Sequence, residues 1–318
     1  MLSNLLLYLL AFAGIWIGAG TAIHSVEKLS QTFKLSSFAV SFLILGLFTS
    51  VSEFSVGVNS ILENDPEIFV GNLIGASIVI FMMIVPLLAI TSSSLKISPD
   101  FRNHNLPLAL FTIATPTLLV LDGVVSKIDS LVSMCIYLFL VFNVQKKKGF
   151  FESLLSRNTL DKKQVLQHLT KIIFAVGIIF LASNVVVHQT IYFSELLKIS
   201  PFLISLLFIS IGTNIPELSF VVRSAFLKSN QVAFGDYVGS ASFNTFLLGL
   251  LTLFYNKPIY LNNNYLSSLI FLLVGLVAFY LFARSKNVIN RKEGLILLLI
   301  YVAFLLSEIA LSRYANSL

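Results

Sequence analysis

Long apolar stretches separated by short polar connections run through the whole 318-residue chain. Most of these stretches contain the roughly 20 apolar residues that a helix needs to cross a bilayer. Ten predicted spans cover residues 4–24, 35–61, 67–90, 105–122, 127–145, 168–190, 200–226, 231–255, 265–284 and 293–312. The pattern therefore predicts an all-α membrane protein with ten transmembrane helices.

Composition supports a membrane protein, because 57% of the residues are hydrophobic and only 11% are charged. The net charge of +6 does not indicate nucleic-acid binding, since the basic residues lie in short loops between spans. The single cysteine, Cys135, lies inside an apolar run and cannot form an intrachain disulfide. We expect it to be a small packing residue.

Lysine and arginine residues are concentrated on one side of the predicted spans. All but four of the 21 lie in or beside the loops that follow the first, third, fifth, seventh and ninth spans. The exceptions are Lys127, Lys198, Lys257 and Arg313. Because cytoplasmic loops are enriched in Lys and Arg, both termini are predicted to lie outside. The short chain has no evident targeting or regulatory domain, so we expect a prokaryotic plasma membrane.

The chain contains an internal duplication with a constant offset of 164 positions. The identical pairs are Ser36/Ser200, Phe38/Phe202, Ser41/Ser205, Leu43/Leu207, Thr49/Thr213, Glu53/Glu217, Ser55/Ser219, Val58/Val222, Ser60/Ser224, Gly71/Gly235 and Gly75/Gly239. Most of them are Ser, Thr, Glu or Gly, which chance similarity between apolar segments does not explain. Five spans per copy make the second copy enter the membrane from the opposite side. The sequence thus predicts two inverted five-helix halves, residues 1–145 and 168–318.

The basic linker of residues 146–167 joins the predicted halves. Its composition fits a solvated cytoplasmic segment, and its amphipathic part also fits a segment that lies on the anionic inner leaflet.

Carboxylates occur inside apolar segments at corresponding positions of the two copies. Thr49 precedes Glu53 by four residues, and Thr213 precedes Glu217 by four, so each pair shares one helix face. A carboxylate in hydrocarbon costs several kcal/mol unless it faces protein, water or a cation. Hard oxygen ligands of this kind suit Ca²⁺ or Na⁺, and the sequence has no Cys or His cluster typical of a transition-metal site. The two pairs predict a cation site near the membrane midplane.

Two further features support this prediction. Pro216, and the serines of the Thr49–Ser52 run that includes Ser50, would let each helix open and free backbone carbonyls. The next helix of each copy begins with a Gly-polar-x-x-Gly motif, which allows close helix approach. The motifs are Gly71-Asn72-Leu73-Ile74-Gly75 and Gly235-Asp236-Tyr237-Val238-Gly239. Asn72 and Asp236 hold equivalent positions, and Asp236 would be a third embedded carboxylate.

The motifs Gly212-Thr213-Asn214-Ile215-Pro216-Glu217 and Gly235 to Asn244 resemble the second alpha repeat of the calcium/cation antiporters, which include the sodium/calcium exchangers. That family's pattern is G-T-S-x-P-E, followed by G-N-x-x-G-S-N-x-x-N or D. The resemblance extends to both repeats and to the ten-span count. It implies ten helices in two inverted halves, a Ca²⁺ site shared by the two Thr/Glu pairs, and exchange against Na⁺ or H⁺. Ser240 and Asn244 match the family pattern.

The sequence departs from that pattern mainly in the first repeat. Phe48 and Ser52 replace Gly and Pro, while Ala76 and Ile80 replace Ser and Asn or Asp. In the second repeat Asn214 replaces Ser, Asp236 replaces Asn and Ala241 replaces Asn. Because the family's monovalent-ion sites use several of these positions, we expect a retained divalent site with a changed coupling ion or stoichiometry.

These observations favour a secondary antiporter that exchanges Ca²⁺ for Na⁺ or H⁺ by alternating access. The predicted ligands are Thr49, Ser50, Glu53, Asn72, Thr213, Glu217, Asp236, Ser240 and Asn244. The expected partners are inorganic cations and the lipid bilayer, with no cofactor, nucleic acid or obligate protein partner. One alternative is a degenerate repeat protein that binds a cation without exchanging it. An intramembrane enzyme is less favoured, because the sequence shows no nucleophile with an adjacent base.

Three other polar residues, Asp122, Asn184 and Glu308, fall near predicted span ends. Water or lipid headgroups can satisfy side chains there, so we expect no ligand role for them.

Overall fold

The computed structural model describes residues 2–32, 42, 46–92, 94–97, 105–145, 162–218, 221, 230–261 and 265–315. The first half contains α1 (Leu2–Thr32), α2 (Gly46–Thr49), α3 (Val51–Leu62), α4 (Glu67–Val79), a π-helical turn (Ile80–Ile84), α5 (Val85–Thr91), α6 (Asn105–Leu119) and α7 (Lys127–Gln145). The second half contains α8 (Lys162–Leu197), α9 (Pro201–Ile204), a π-helical turn (Ser205–Ile209), α10 (Ser210–Thr213), α11 (Asn230–Tyr255), α12 (Tyr265–Lys286) and α13 (Arg291–Ala315). Four short strands are β1 (Ser94–Lys96), β2 (Val124–Val125), β3 (Ile259–Tyr260) and β4 (Val288–Asn290).

The predicted helical membrane fold is confirmed. Each of the ten predicted spans contains helix within the described ranges, and seven helices there are long and apolar enough to cross a membrane. Residues 105–119 and 201–213 form shorter apolar helices. The count of ten crossings stays a prediction, because parts of the second and seventh spans lie outside the described residues. So do residues 146–161 of the linker and several of the duplicated positions, namely 36, 38, 41, 43, 219, 222 and 224.

The site helices of the two halves are interrupted at the same repeat position. Between α2 and α3, Ser50 has φ −78° and ψ 6°, and after α10, Asn214 has φ −92° and ψ 12°. These residues are 164 positions apart. Pro216 occurs only in the second copy, so proline is not required for the interruption. The predicted helix opening is therefore a property of both copies.

The two small antiparallel sheets each join one half to the other. Leu95 of β1 pairs with Ile289 of β4, and Val125 of β2 pairs with Ile259 of β3. The 164-residue offset converts Leu95 into Ile259 and Val125 into Ile289. Exchange of the two halves therefore converts one sheet into the other with its register unchanged. Such a relationship is expected for inverted repeats about a pseudo-two-fold axis.

Two close helix crossings are also related by the pseudo-two-fold symmetry of the repeats. A Cβ atom on Gly75 of α4 would overlap the carbonyl oxygen of Leu206, and one on Gly239 of α11 would overlap the carbonyl oxygen of Phe42. The offset relates Gly75 to Gly239 and Phe42 to Leu206. Only a residue without a side chain permits these approaches, so the two glycines bring a helix of one half against the broken helix of the other.

Buried apolar side chains form a large core and a smaller separate cluster. The smaller cluster joins α1 and α8 through residues such as Tyr8, Ile15 and Val187. It also includes Val56 of α3 and Ile209 of the second π-helical turn. The α1 and α8 pair thus packs against the helices that carry the predicted site.

The expected packing role of Cys135 is wrong, and two side chains expected to be satisfied by water or lipid headgroups have protein partners instead. That these two, Asn184 and Glu308, have no ligand role stays a prediction. Cys135 is exposed rather than packed inside. Asn184 is not left to water, because its side-chain amide donates to Asn59 Oδ1 at 3.1 Å. Glu308 is only 4% exposed and accepts from Ser268 Oγ at 3.1 Å. Tertiary packing of α8 on α3, and of α12 on α13, supplies these partners, and the sequence pattern gave no sign of them.

Candidate cation-binding site

The four residues of the predicted Thr/Glu pairs lie inside the protein. Thr49, Glu53, Thr213 and Glu217 are all 0% exposed. The broken helices of the two halves supply them, with the Thr at the end of α2 or α10 and the Glu in the helical turn after the interruption. Each Glu is thereby placed where the helix has opened.

Each threonine contacts the polar residue of a Gly-polar-x-x-Gly motif in the opposite half. Thr49 Oγ1 donates to Asp236 Oδ1 at 3.4 Å, and Thr213 Oγ1 donates to Asn72 Oδ1 at 3.2 Å. These contacts are equivalent under the repeat. Asn72 and Asp236 are both fully buried, so the predicted midplane groups converge.

Glu53 is held by donors on both of its carboxylate oxygens. Asn214 Nδ2 donates to Oε1 at 3.4 Å, and Ser52 Oγ lies 2.9 Å from Oε2. Ser52 Oγ also lies 3.2 Å from the carbonyl oxygen of Thr213. The Glu53 carboxylate of the first half therefore lies against the broken helix of the second half.

Glu217 is held less completely. Ser240 Oγ donates to Glu217 Oε1 at 3.4 Å, and Tyr237 Oη donates to the Glu217 backbone carbonyl at 3.1 Å. Oε2 of Glu217 is buried without a hydrogen-bond partner among the described residues. A buried carboxylate oxygen of this kind costs free energy unless a cation or proton meets it.

Ser50 and Ser240 link the site across the two halves. Their hydroxyl oxygens are 3.1 Å apart, and Ser50 Oγ also donates to the Gly46 carbonyl at 2.9 Å. Asn244 lies on the same helix as Ser240, four residues further on, and is fully buried. Neither Oδ1 nor Nδ2 of Asn244 has a hydrogen-bond partner in the described part of the chain. Within the described residues, Asn244 is therefore not joined by a hydrogen bond to any other of the nine predicted residues.

Buried acidic side chains make the site receptive to cations. Glu53, Glu217 and Asp236 are all fully buried. Within the described ranges, no three His, Cys, Asp or Glu side chains form a group that could hold a metal alone. A hard cation would therefore be held by carboxylates together with hydroxyl, amide and backbone oxygens, which is the donor chemistry of Ca²⁺ and Na⁺ sites.

Sequence reasoning missed Ser52 and Asn214 as site residues, since it treated Asn214 as a departure from a family pattern and gave Ser52 a role only in helix opening. Both donate to Glu53. A usable signal existed for Asn214, because the 164-residue offset relates it to Ser50, which was a predicted ligand.

Two inverted helical halves that meet at buried carboxylates define a membrane transport protein. The family model described as sodium/calcium exchanger protein matches residues 3–145 and 169–310, and the chain belongs to this family. The resemblance seen in the motifs is thus confirmed. The protein is a membrane cation antiporter and not an enzyme.

Individual relatives have low sequence identity to this chain. The sodium/calcium exchanger MaX1 of Methanosarcina acetivorans is 30% identical over 135 residues, which are 42% of this chain and 38% of that protein. The chain thus matches well under two thirds of that relative's length. The inner membrane protein YrbG of Escherichia coli is 24% identical over 258 residues, covering 76% of this chain and 79% of that protein.

Solved structures of the sodium-calcium exchanger NCX_Mj share the fold. The structure soaked with 2.5 mM Na⁺ and 10 mM Sr²⁺ has a TM-score of 0.70 and 21% sequence identity, covering 96% of this chain and 99% of that chain. The structure soaked with zero Na⁺ and Ca²⁺ has a TM-score of 0.67 and the same identity.

Proposed function

We propose that this protein exchanges Ca²⁺ for Na⁺ or H⁺ by alternating access at a site between Glu53 and Glu217. The observation that carries the proposal is the burial of both carboxylates, one from each inverted half, around contacts that cross between the halves. The names of its family and of the relatives MaX1 and NCX_Mj support Ca²⁺ as cargo and Na⁺ as a counter-ion.

The proposed ligands divide into a centre and its surroundings. Thr49, Glu53, Thr213 and Glu217 form the centre that takes the divalent ion. Its surroundings are Ser50, Asn72, Asp236, Ser240 and Asn244. Two carboxylates with neutral oxygens bind a dehydrated cation strongly enough to select it and weakly enough to release it.

The two halves would rock against each other around this site. We propose residues 1–145 and 168–318 as the halves, with residues 146–167 as a cytoplasmic linker and both termini outside. Because the halves are inverted, exchange of their conformations would open the site first to one side and then to the other. The host would be a prokaryotic plasma membrane, which agrees with the bacterial and archaeal relatives.

The first half of the site lacks two side-chain oxygens that the second half has, which favours one alternative function. Ala76 and Ile80 bring no side-chain oxygen to the first half of the site, whereas their repeat equivalents Ser240 and Asn244 do. A protein that binds a cation without exchanging it would have the same residues.

Uptake of ⁴⁵Ca²⁺ into proteoliposomes distinguishes an antiporter from a protein that only binds the cation. An antiporter gives Ca²⁺ uptake that is driven by an imposed Na⁺ or H⁺ gradient and that reverses when the gradient is reversed. Binding of Ca²⁺ to purified protein with no gradient-driven flux would favour the alternative.

A further inference from the structure

The pseudo-two-fold symmetry gives the site two corners that differ in chemistry. We define the open corner as Ser50, Ser240 and Glu217, and the filled corner as their repeat equivalents Asn214, Ala76 and Glu53. The sheet register and the glycine crossings obey this correspondence, so the corners can be compared residue by residue.

In the filled corner, protein donors form hydrogen bonds to both oxygens of the Glu53 carboxylate. Asn214 Nδ2 donates to Glu53 Oε1 at 3.4 Å and is fixed by a 2.7 Å hydrogen bond to the carbonyl of Ser210. Ser52 Oγ, 2.9 Å from Glu53 Oε2, supplies the second donor. Both contacts of the Asn214 NH₂ group are to oxygen acceptors, which sets the orientation of the amide. Ala76 contributes no hydroxyl here.

In the open corner, Ser240 Oγ donates to Glu217 Oε1 at 3.4 Å, but no donor among the described residues reaches Oε2. Ser50 carries a hydroxyl where the filled corner has the Asn214 amide, and its Oγ already donates to the carbonyl of Gly46. Pro216 stands at the equivalent of Ser52 and has no side-chain donor. Glu217 Oε2 is buried without a hydrogen-bond partner among the described residues. The open corner thus combines the hydroxyls of Ser50 and Ser240 with a carboxylate that keeps one oxygen without a described donor.

We propose that Asn214 and Ser52 are positioning residues that stand in for a monovalent cation at Glu53, so that a monovalent counter-ion binds only in the open corner beside Glu217. An N–H donor and a cation cannot use the same carboxylate lone pair. A carboxylate has about four such sites, so Glu53 keeps free ones for the divalent ion. The consequence is one monovalent ion fewer for each divalent ion than two open corners would give. This inference rests on the proposed exchange function.

The test opens the filled corner with the triple variant Ser52→Ala, Ala76→Ser and Asn214→Ser, because Ser52 would otherwise still donate to Glu53 Oε2. Calorimetric titration of purified protein with Ca²⁺ at several Na⁺ concentrations, at constant ionic strength, gives the number of Na⁺ ions displaced per Ca²⁺ by linkage. We expect this number to rise by one in the triple variant, whatever its value in the wild type. An unchanged number, with Ca²⁺ binding intact, would overturn the inference.

Two further variants keep the test decisive. Ser77→Ala, which removes a neighbouring buried hydroxyl that donates to the Leu73 carbonyl, is the matched control and should leave the number unchanged. Ser50→Asn places the amide in the open corner and should lower the number by one. If the triple variant does not fold, an unchanged number in Ser50→Asn overturns the inference.

Measurement of transport by the wild type distinguishes a failure of this inference from a failure of the proposed exchange function. Absence of any gradient-driven ⁴⁵Ca²⁺ flux in the wild type defeats the proposed exchange. Reversible flux in the wild type, together with no change in displaced Na⁺ in the variants, defeats only the role of Asn214 and Ser52.

Discussion

Asn214 of the second half donates from its side-chain amide to Glu53 Oε1 of the first half, at 3.4 Å. The repeat-equivalent contact would join Ser50 of the first half to Glu217 of the second. Instead, Ser240 Oγ lies within hydrogen-bond distance of both Ser50 Oγ and Glu217 Oε1. The two carboxylates of a duplicated motif therefore have different surroundings. One has donors on both oxygens, and the other has an oxygen left for a cation.

Both carboxylates are needed for transport if they share the ion. Replacement of Glu53 or Glu217 by Gln keeps the shape and removes the charge, so we expect gradient-driven ⁴⁵Ca²⁺ flux to fall roughly tenfold or more. Glu308→Gln is the matched control, since Glu308 is a buried carboxylate that contacts Ser268 in α12 and none of the proposed ligands. Wild-type flux in either site variant would show that the carboxylate does not hold the ion.

The extra carboxylate at Asp236 should strengthen divalent binding. Asp236→Asn makes the two Gly-polar-x-x-Gly motifs alike, and we expect the Ca²⁺ Kd to rise on the order of tenfold, about 1.4 kcal/mol. The control is the exchange variant Asn72→Asp with Asp236→Asn, which moves the carboxylate to the repeat-equivalent position. Titration calorimetry should show recovery toward wild-type affinity in the exchange variant. Affinity as poor as in Asp236→Asn alone would argue against a site with two-fold symmetry.

The glycine crossings should be sensitive to any added side chain. Gly75→Val or Gly239→Val would drive a side chain into a backbone carbonyl, and we expect a cost of about 1–3 kcal/mol or more. Gly177→Ala is the control, because a Cβ there meets nothing within 4 Å. Removal of a helical glycine should leave that variant as stable as the wild type, or more stable by about 0.5–1 kcal/mol. Thermal unfolding in detergent measures the stability of all three variants. If the Gly75→Val and Gly239→Val variants were as stable as the wild type, the close helix crossings would be contradicted.

Membrane orientation can be tested by chemical labelling. In a Cys135→Ala background, Lys257→Cys should react with a membrane-impermeant maleimide added outside intact cells, because its loop is predicted to be external. Arg284→Cys should react only after the membrane is permeabilised. The reverse pattern would invert the proposed topology without affecting the fold.

Much of the fold could be predicted because the relevant signals are local. Apolar length located the helices, and the repeated Thr49/Glu53 and Thr213/Glu217 pairs located the carboxylates of the site. The helix interruption was predicted at the correct place in both copies. In the first copy the interruption falls at Ser50, inside the predicted Thr49–Ser52 run and without any proline at the position of Pro216.

The features of the fold and site that could not be predicted depend on which helices pack against each other. The partners of Asn184 and Glu308 lie 125 and 40 residues away, and no local pattern points to them. For the same reason Ser52 and Asn214 were seen as substitutions in a motif, although their function depends on a carboxylate across the interface. The strand pairing of Leu95 with Ile289 likewise joins segments from different halves of the chain, far apart in sequence.

The central claim is that Glu53 and Glu217, from opposite halves, hold one transported cation between them. Crystals of the protein soaked with Sr²⁺, whose anomalous scattering marks the ion, test it most directly. We expect one strong peak in contact with a carboxylate oxygen of each residue. A peak that contacts only one of them, or that lies away from both, would contradict the claim.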